Sequence, residues 1–294
     1  MVENDRVADS SPTISLCVLV HDRPEELRDA LASAAKEPWH EIVVLDMASD
    51  PSIKPVPGTT WLRSDANVGV TAGRNRLVEA TTADVLVFLD DDAIFLTPPC
   101  AHLAEAFGDD PRLGAVAFRV HRPGSDVSLE HPFRGAAADG PESARDCAYF
   151  VGCGYAVRRR AHLDSGGYDD RFFYSTEEID LSFRLLRNGW RLRYEPAIEI
   201  EHRPSPRGRN ASSSVPGWRM RNRLLMVRAH LPAPLALVHA AIWGARTAVE
   251  AGRDHSLRRW WRLTRDGVSM PVLRQPLGWA RLAQVHRLGG RVLY

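Results

Sequence analysis

The chain has 294 residues, enough for one large α/β domain with a helical appendage, and its 44% hydrophobic content supports a sizeable core. Its four cysteines, Cys17, Cys100, Cys147 and Cys153, show no Cys-x-x-Cys spacing, which argues against a disulfide framework or a zinc site and for a reducing, cytoplasmic setting. The near-neutral net charge of +1 hides an asymmetry: residues 203–294 carry 17 arginines, no lysine and three acids, against 21 basic and 34 acidic residues before them.

Residues 1–12 are polar and acidic, read as a disordered tail rather than a signal or transit peptide. Ile14 to Val20 is an apolar run with the pattern of a buried strand, and Pro24 opens a helix to about Ala35, where its missing N–H is harmless. A second strand, Glu41 to Leu45, ends at Asp46; a Pro/Gly-rich loop leads to a short strand at Thr60–Arg63. Asn67 to Asn75 opens a helix running to about Ala80. The apolar run Val85–Leu89 then ends in three consecutive aspartates, Asp90, Asp91 and Asp92. A helix at Ala101–Phe107 and a strand at Gly114–Val120 follow. This alternation predicts a mostly parallel, open twisted sheet with helices on both faces.

Ser125 to Arg145 reads as a loop or small hairpin, and Asp146 to Val157 as a strand. A helix at Glu177–Asn188 carries a broad apolar stripe and ends at Gly189. Strands are expected at Trp190–Tyr194 and Ala197–His202. The domain organisation predicted is an α/β unit at 13–205, a mobile loop at 206–217 and an Arg-rich helical region at 218–294, with two or three amphipathic helices between Trp218 and Asp266. No run of about 18 apolar residues is present to span a bilayer.

Three carboxylates at the carboxyl end of a buried strand repel one another and add nothing to a core. They are intelligible if a hard divalent cation neutralises them, at the sheet edge where open α/β folds bind ligands. An acidic solvated turn is the plainer alternative.

The ordered series HDRPEEL, LDMASDP, NVGVTAGRN, VLVFLDDD, GCGYAVRRR, GGYDDRFFYSTEEIDLSFRL and GWRLRYEPAIEIEH resembles glycosyltransferase family 2, across roughly residues 13–202. The resemblance implies a GT-A fold and inverting transfer of a sugar from a nucleotide diphosphate donor to an acceptor hydroxyl. It implies that Asp90 and Asp92 lie near the donor diphosphate and a divalent ion, Mn²⁺ or Mg²⁺, with His202 as a further ligand or a hydrogen-bonded core histidine. A mixed carboxylate–imidazole shell favours Mn²⁺. Glu178 stands where the family has its general base, usually an aspartate, with Asp180 as the second choice. Ser175 and Glu178 also fit a capping box, and Glu177 and Asp180 also suit a helix first turn.

On the donor side the resemblance implicates Val20, Asp22, Arg23, Asp46, Asn67, Gly73, Arg74, Asp90 and Asp91. An aspartate at position 46 could accept the ring N–H of uracil or thymine, hence the expectation of a UDP- or dTDP-sugar. Arg74 could stack on the base or offset phosphate charge, while Gly73 could equally serve helix packing. On the acceptor side, Gly152 would let backbone approach the sugar, with Tyr174 and Glu177 beside it. Tyr168, Phe172, Phe173 and Tyr174 form either a stacking wall or core. The basic tail, including Arg219, Arg221 and Arg223, could meet phosphates, an anionic acceptor or lipid headgroups at the inner face of the membrane; no nucleic acid partner is expected. A sugar nucleotidyltransferase and a non-catalytic sugar-nucleotide or membrane-binding module are the alternatives. The first usually carries a Gly-rich basic signature that Ser15–Arg23 lacks.

Overall fold

In the computed structural model, which describes residues 11–133, 142–205, 207 and 214–290, the Ile14–Val20 run is strand β1, buried on both faces as its unbroken apolar sequence requires. Around it stand β2 (Ile42–Met47), β3 (Thr60–Ser64) and β4 (Val85–Asp90), paired in parallel in the order β3-β2-β1-β4. Helix α1 (Pro24–Ala34) connects β1 to β2, with Pro24 in its first turn, and α2 (Gly69–Glu79) connects β3 to β4.

The second half of the sheet is mixed. β6 (Leu113–Arg122) and β10 (Arg191–His202) are parallel to each other, but β9 (Gly154–Arg158) lies antiparallel between β4 and β6. Six strands, β1 to β4 with β6 and β10, therefore point the same way, and their carboxyl ends share one edge. Short strands β5 (Ala93–Phe95) and β8 (Arg145–Asp146) add to β10, and β7 (Ser125–Glu130) to β6, all antiparallel. The parallel arrangement expected from sequence thus holds for the first half and gives way to a mixed second half.

Two local expectations are corrected. Asp146–Val157 is not one strand: pairing stops after Asp146, the chain runs irregularly past Cys147 to Cys153, and only then enters β9. Conversely, the two strands expected at 190–202 are one, with one of its two register shifts falling between Glu195 and Glu199 around Pro196, which has no N–H for the ladder.

Alternate residues feed two cores. On one face, β1, β2 and β4 residues pack against α1 and α3 (Cys100–Asp109); on the other, they pack against α2, α5 (Glu177–Arg187) and α6 (Val215–His230). A short helix α4 (Arg159–Asp164) follows β9. Helix α6 begins three residues earlier than expected, inside the segment read as a loop, and its Leu225, Met226 and Val227 are core residues of the sheet domain. Beyond it come α7 (Ala233–Arg253), α8 (Leu257–Ser269) and α9 (Trp279–Arg287). Residues 1–10, most of the 206–213 loop and the 134–141 part of the expected hairpin lie outside the described residues.

Candidate active site

At the shared edge the ends of β1, β2, β4 and β10 surround a cavity of about 350 Å³. Its floor is acidic: Asp90 to Asp92 line it, together with His21, Arg23 and His202. Period-two alternation decides which β1 residues reach it. Leu19 and His21 face the cavity, whereas the Val20 side chain is fully buried in the α1–α3 core, so position 20 can offer only its backbone.

The three aspartates are held differently. Asp91 is buried and receives Arg23 Nη1 at 2.7 Å; burial outweighs that guanidinium and pushes its carboxyl up to about 7. Asp92 is also buried, which alone would raise it. Hydrogen bonds from His202 and the Ser205 N–H (3.0 Å), with Arg23 at 3.1 Å, reverse that and hold its carboxyl below the usual range. The Arg23 and Ser205 contacts use Oδ2 of Asp92, while Oδ1 turns to His202 Nε2 at 3.4 Å. Asp90 has a carboxyl raised by desolvation, which Arg74 opposes and the neighbouring Asp92 reinforces.

Asp90, Asp92 and His202 each present one ligand atom, all within 4.8 Å of one another, the one such group among the described residues. Two carboxylate oxygens and an imidazole nitrogen are a donor set that suits Mn²⁺ more than Mg²⁺. Since Oδ2 of Asp92 accepts from Arg23 and Ser205, Oδ1 is the oxygen that faces His202 and would share an ion with it.

Arg74 is not a donor-facing side chain. It is 3% exposed and sits among the rings of Tyr155, Tyr168 and Phe88, with its guanidinium carbon 5.4–5.9 Å from their centroids. Its Nη2 donates to the Gly152 carbonyl at 2.8 Å and approaches Asp90 Oδ1 at 3.4 Å, and its Nη1 lies 3.4 Å from Glu177 Oε1. Arg74 therefore joins the aspartate edge to the start of α5 from inside. Buried Glu177 has its carboxyl raised well above the usual range by desolvation and by Glu178, and its Oε2 has no hydrogen-bond partner among the described residues.

Glu178 lies half-buried over Gly152: a Cβ on that glycine would stand 2.1 Å from Glu178 Oε1 and 3.4 Å from Arg74 Nη2. Its charge contributes to the upward shift of Asp90. Asp180, the second choice for a base, is fixed elsewhere. It is buried, receives His230 Nε2 at 2.7 Å and Arg184 at 2.6 and 3.0 Å, and these partners hold its carboxyl below the usual range despite burial. Its job here is to clamp α5 to α6.

No capping box forms at α5. Thr176 is the N-cap residue, with no side-chain cap bond, and both Ser175 and Thr176 adopt left-handed φ values of 72° and 80°. The turn is gripped from α6: Asn222 Nδ2 donates to the Tyr174 and Ser175 carbonyls at 2.7 and 2.8 Å, and Arg221 Nη1 donates to the Arg171 carbonyl at 2.7 Å. Sequence reasoning missed Asn222, a buried amide on a helix without a clear apolar stripe; only the three-dimensional proximity of α6 to the turn reveals it.

Asp46 is corrected as well. It is fully buried, accepts the Ser49 N–H at 2.9 Å and pairs with Arg63, so its side chain does not reach the cavity; its neighbour Met47 lines it instead. Asp22 is spent on loop structure, receiving the Asp50 N–H at 2.8 Å while its own N–H donates to Ser49 Oγ at 2.9 Å. Asn67 does line the cavity, and its Oδ1 accepts the Gly69 N–H at 3.0 Å to turn the chain into α2. Gly73 serves packing: a Cβ there would meet Leu19 at 2.9 Å and Met47 at 3.1 Å. The aromatic cluster divides, with Tyr168 and Phe172 in the core and Phe173 and Tyr174 on the cavity wall, where Phe173 stacks on Trp218 of α6 at 5.4 Å.

A family model described as "Glycosyl transferase family 2" matches residues 15–166, just over half of the chain. Among curated relatives, the "Pre-mycofactocin glycosyltransferase" of Mycobacterium tuberculosis is 32% identical over 149 residues, covering 46% of this chain and 30% of the relative. The "N-acetylglucosaminyl-diphospho-decaprenol L-rhamnosyltransferase" of the same organism is 35% identical over 74 residues, 25% of this chain and 24% of that one. The chain thus spans less than a third of the length of these two relatives. Among solved structures, GalNAc-T7 with UDP, GalNAc and Mn²⁺ superposes with a TM-score of 0.65 at 16% identity, over 86% of this chain and 56% of that one. A mannosyltransferase from Pyrobaculum calidifontis with GDP-Man and Mn²⁺ gives 0.52 at 16% identity, over 95% and 79%. At such identities the likeness is one of fold, the GT-A architecture.

Proposed function

The chain belongs to glycosyl transferase family 2, and on that premise we propose that it transfers a sugar from a nucleoside diphosphate donor to an acceptor hydroxyl with inversion. One observation carries the proposal: Asp90, Asp92 and His202 converge at one sheet edge, and buried Arg74 ties that edge to the α5 start bearing Glu178. The cavity at the ends of β1, β2, β4 and β10 takes the donor, as open α/β sheets take ligands.

Asp90, Asp92 and His202 would hold a divalent ion, with Asp91 kept in place by Arg23. Bound there, the ion would offset charge on the departing diphosphate. Glu178 accepts the proton of the acceptor hydroxyl as its oxygen attacks the anomeric carbon. The new carbon–oxygen bond forms as the bond to the diphosphate oxygen breaks, and the nucleoside diphosphate leaves with the electron pair. Glu177 stays beside it, buried and paired with Arg74, its carboxyl raised by desolvation and by the neighbouring Glu178.

UDP- and dTDP-sugars are the first donors to test. With Asp46 turned into the protein, selection of the base falls to His21, Met47 and the β1 backbone. A donor screen with Mn²⁺ that follows free nucleoside diphosphate tests the proposal, and pyrophosphate release would instead identify nucleotidyl transfer. Asp92→Ala should abolish divalent-dependent release. Full release by that variant without divalent ion would overturn the metal assignment.

A further inference from the structure

Helix α7 is apolar on the side that faces outward. It turns His239, Thr247 and Ala251 inward, while Leu237, Val238, Ala241, Ile242, Ala245 and Val249 are exposed, Leu237 by 72% and Val249 by 55%. At helical spacing these six form one stripe, about 18 Å long at 1.5 Å per residue. Arg246 and Arg253 stand at its border. Helix α8 returns alongside, with Trp260 Nε1 donating to Thr247 Oγ1 at 2.9 Å and Leu263 packed on Gly217 of α6. Its outer side exposes Leu257, Trp261 and Val268 as a strip, and Arg258, Arg262 and Arg265 run beside that strip.

A helix bathed in water turns polar residues outward. Single exposed apolar side chains are ordinary, but an unbroken stripe bordered by charge is a contact surface. No helix among the described residues is long and apolar enough to cross a membrane. An apolar stripe bordered by arginines, with an exposed indole, Trp261, on the neighbouring helix, is instead the pattern of helices lying in the plane of a lipid interface.

We propose that α7 and α8 dock on an anionic phospholipid surface, with the α7 stripe in the boundary between headgroups and acyl chains and the α8 arginines on lipid phosphates. Charge selects this occupant over a second copy of the chain. Residues 203–294 hold 17 arginines and three acids, and one acid, Glu250, is already paired with Arg219 and Arg246. Two copies meeting through these helices would set like charges together, whereas an anionic bilayer supplies the opposite sign. The proposal stands independently of the transfer reaction.

The test is sedimentation of the full chain with vesicles of phosphatidylcholine alone and of phosphatidylcholine mixed with phosphatidylglycerol. Binding is expected to the mixed vesicles at low salt, to weaken as salt rises, and to be slight on phosphatidylcholine. Leu237→Gln with Ile242→Gln should weaken it on the order of 10-fold or more, as two apolar side chains no longer leave water. Arg258→Gln with Arg262→Gln should weaken it and flatten the salt dependence. All four positions are exposed, and helix content by circular dichroism verifies the fold of each variant. Absence of binding to the mixed vesicles at low salt would overturn the proposal. So would binding unaffected by the α7 changes, or an oligomer that those changes dissolve without any vesicle binding.

Discussion

At Gly152 a single Cβ would sit 2.1 Å from a carboxylate oxygen of Glu178, so the glycine is what lets that side chain lie where it does. Gly152→Ala should therefore displace Glu178 while leaving the cavity floor intact. Misplacing a reacting group by about 1 Å costs roughly 100-fold in rate, so kcat should fall by about that factor with little change in donor affinity; steady-state kinetics beside a donor-binding titration would check it. Arg74 predicts a different outcome. It is the guanidinium shared by Asp90, Glu177 and the Gly152 carbonyl, and Arg74→Met would strand the buried Glu177 carboxylate; breaking a buried pair typically costs about 3–5 kcal/mol. A denaturation midpoint unchanged by that substitution would contradict its role as an internal tie. At this scale the sequence disclosed residue types at strand ends but not the direction of every side chain. Asp46 and Arg74 carry the right chemistry for a ligand, yet Arg63, 17 residues from Asp46, and Glu177, 103 residues from Arg74, draw them inward. Such partners cannot be read from local periodicity.

The element that positions Glu178 is the turn from Tyr174 to Thr176. Two successive non-glycine residues with left-handed φ cost on the order of 1–3 kcal/mol each. Asn222 sustains them by giving both amide hydrogens to the turn carbonyls, and Phe173 stacking on Trp218 adds a second contact with α6. Asn222→Ala should destabilise the protein by about 1–3 kcal/mol, the usual effect of leaving buried polar groups unpaired. It should also lower kcat, because the turn that carries Glu178 loses its grip from α6. Equal thermal midpoints with equal kinetics would contradict this. The regular elements are legible in the unbroken apolar runs of β1 and β4, and where an apolar stripe meets an end signal, Pro24 for α1 and Gly189 for α5. The 147–153 segment is not: its apolar side chains are core, but they fill it from an irregular path between two short strands. An apolar run gives burial, and only pairing partners give strand.

Across the whole molecule, the C-terminal region is built into the sheet domain through α6, the Asp180–His230 contact and the Asn222 grip, then turns its apolar α7 face outward. The charge asymmetry in the sequence signalled two surfaces, but the outward stripe emerged only once burial told the two sides of α7 apart. Acid sensitivity is another whole-molecule property. His162 is buried, and desolvation with the nearby Arg184 and Arg159 lowers its pKa from 6.5 to about 3. The unfolded chain thus binds a proton that the folded chain refuses, so stability falls as pH drops from about 6.5 towards 3. His162→Gln should remove one proton from that slope in pH-dependent denaturation; an unaltered slope would contradict the assignment.

In the proposed reaction Glu178 takes the acceptor proton at a site whose donor is held by other residues. The most direct measurement is turnover by Glu178→Gln, read as nucleoside diphosphate release with Mn²⁺, beside the affinity of the same variant for the donor. Turnover should fall by about 100- to 10,000-fold, the usual contribution of a general base, with donor affinity unchanged. Turnover near that of the unaltered protein would contradict it.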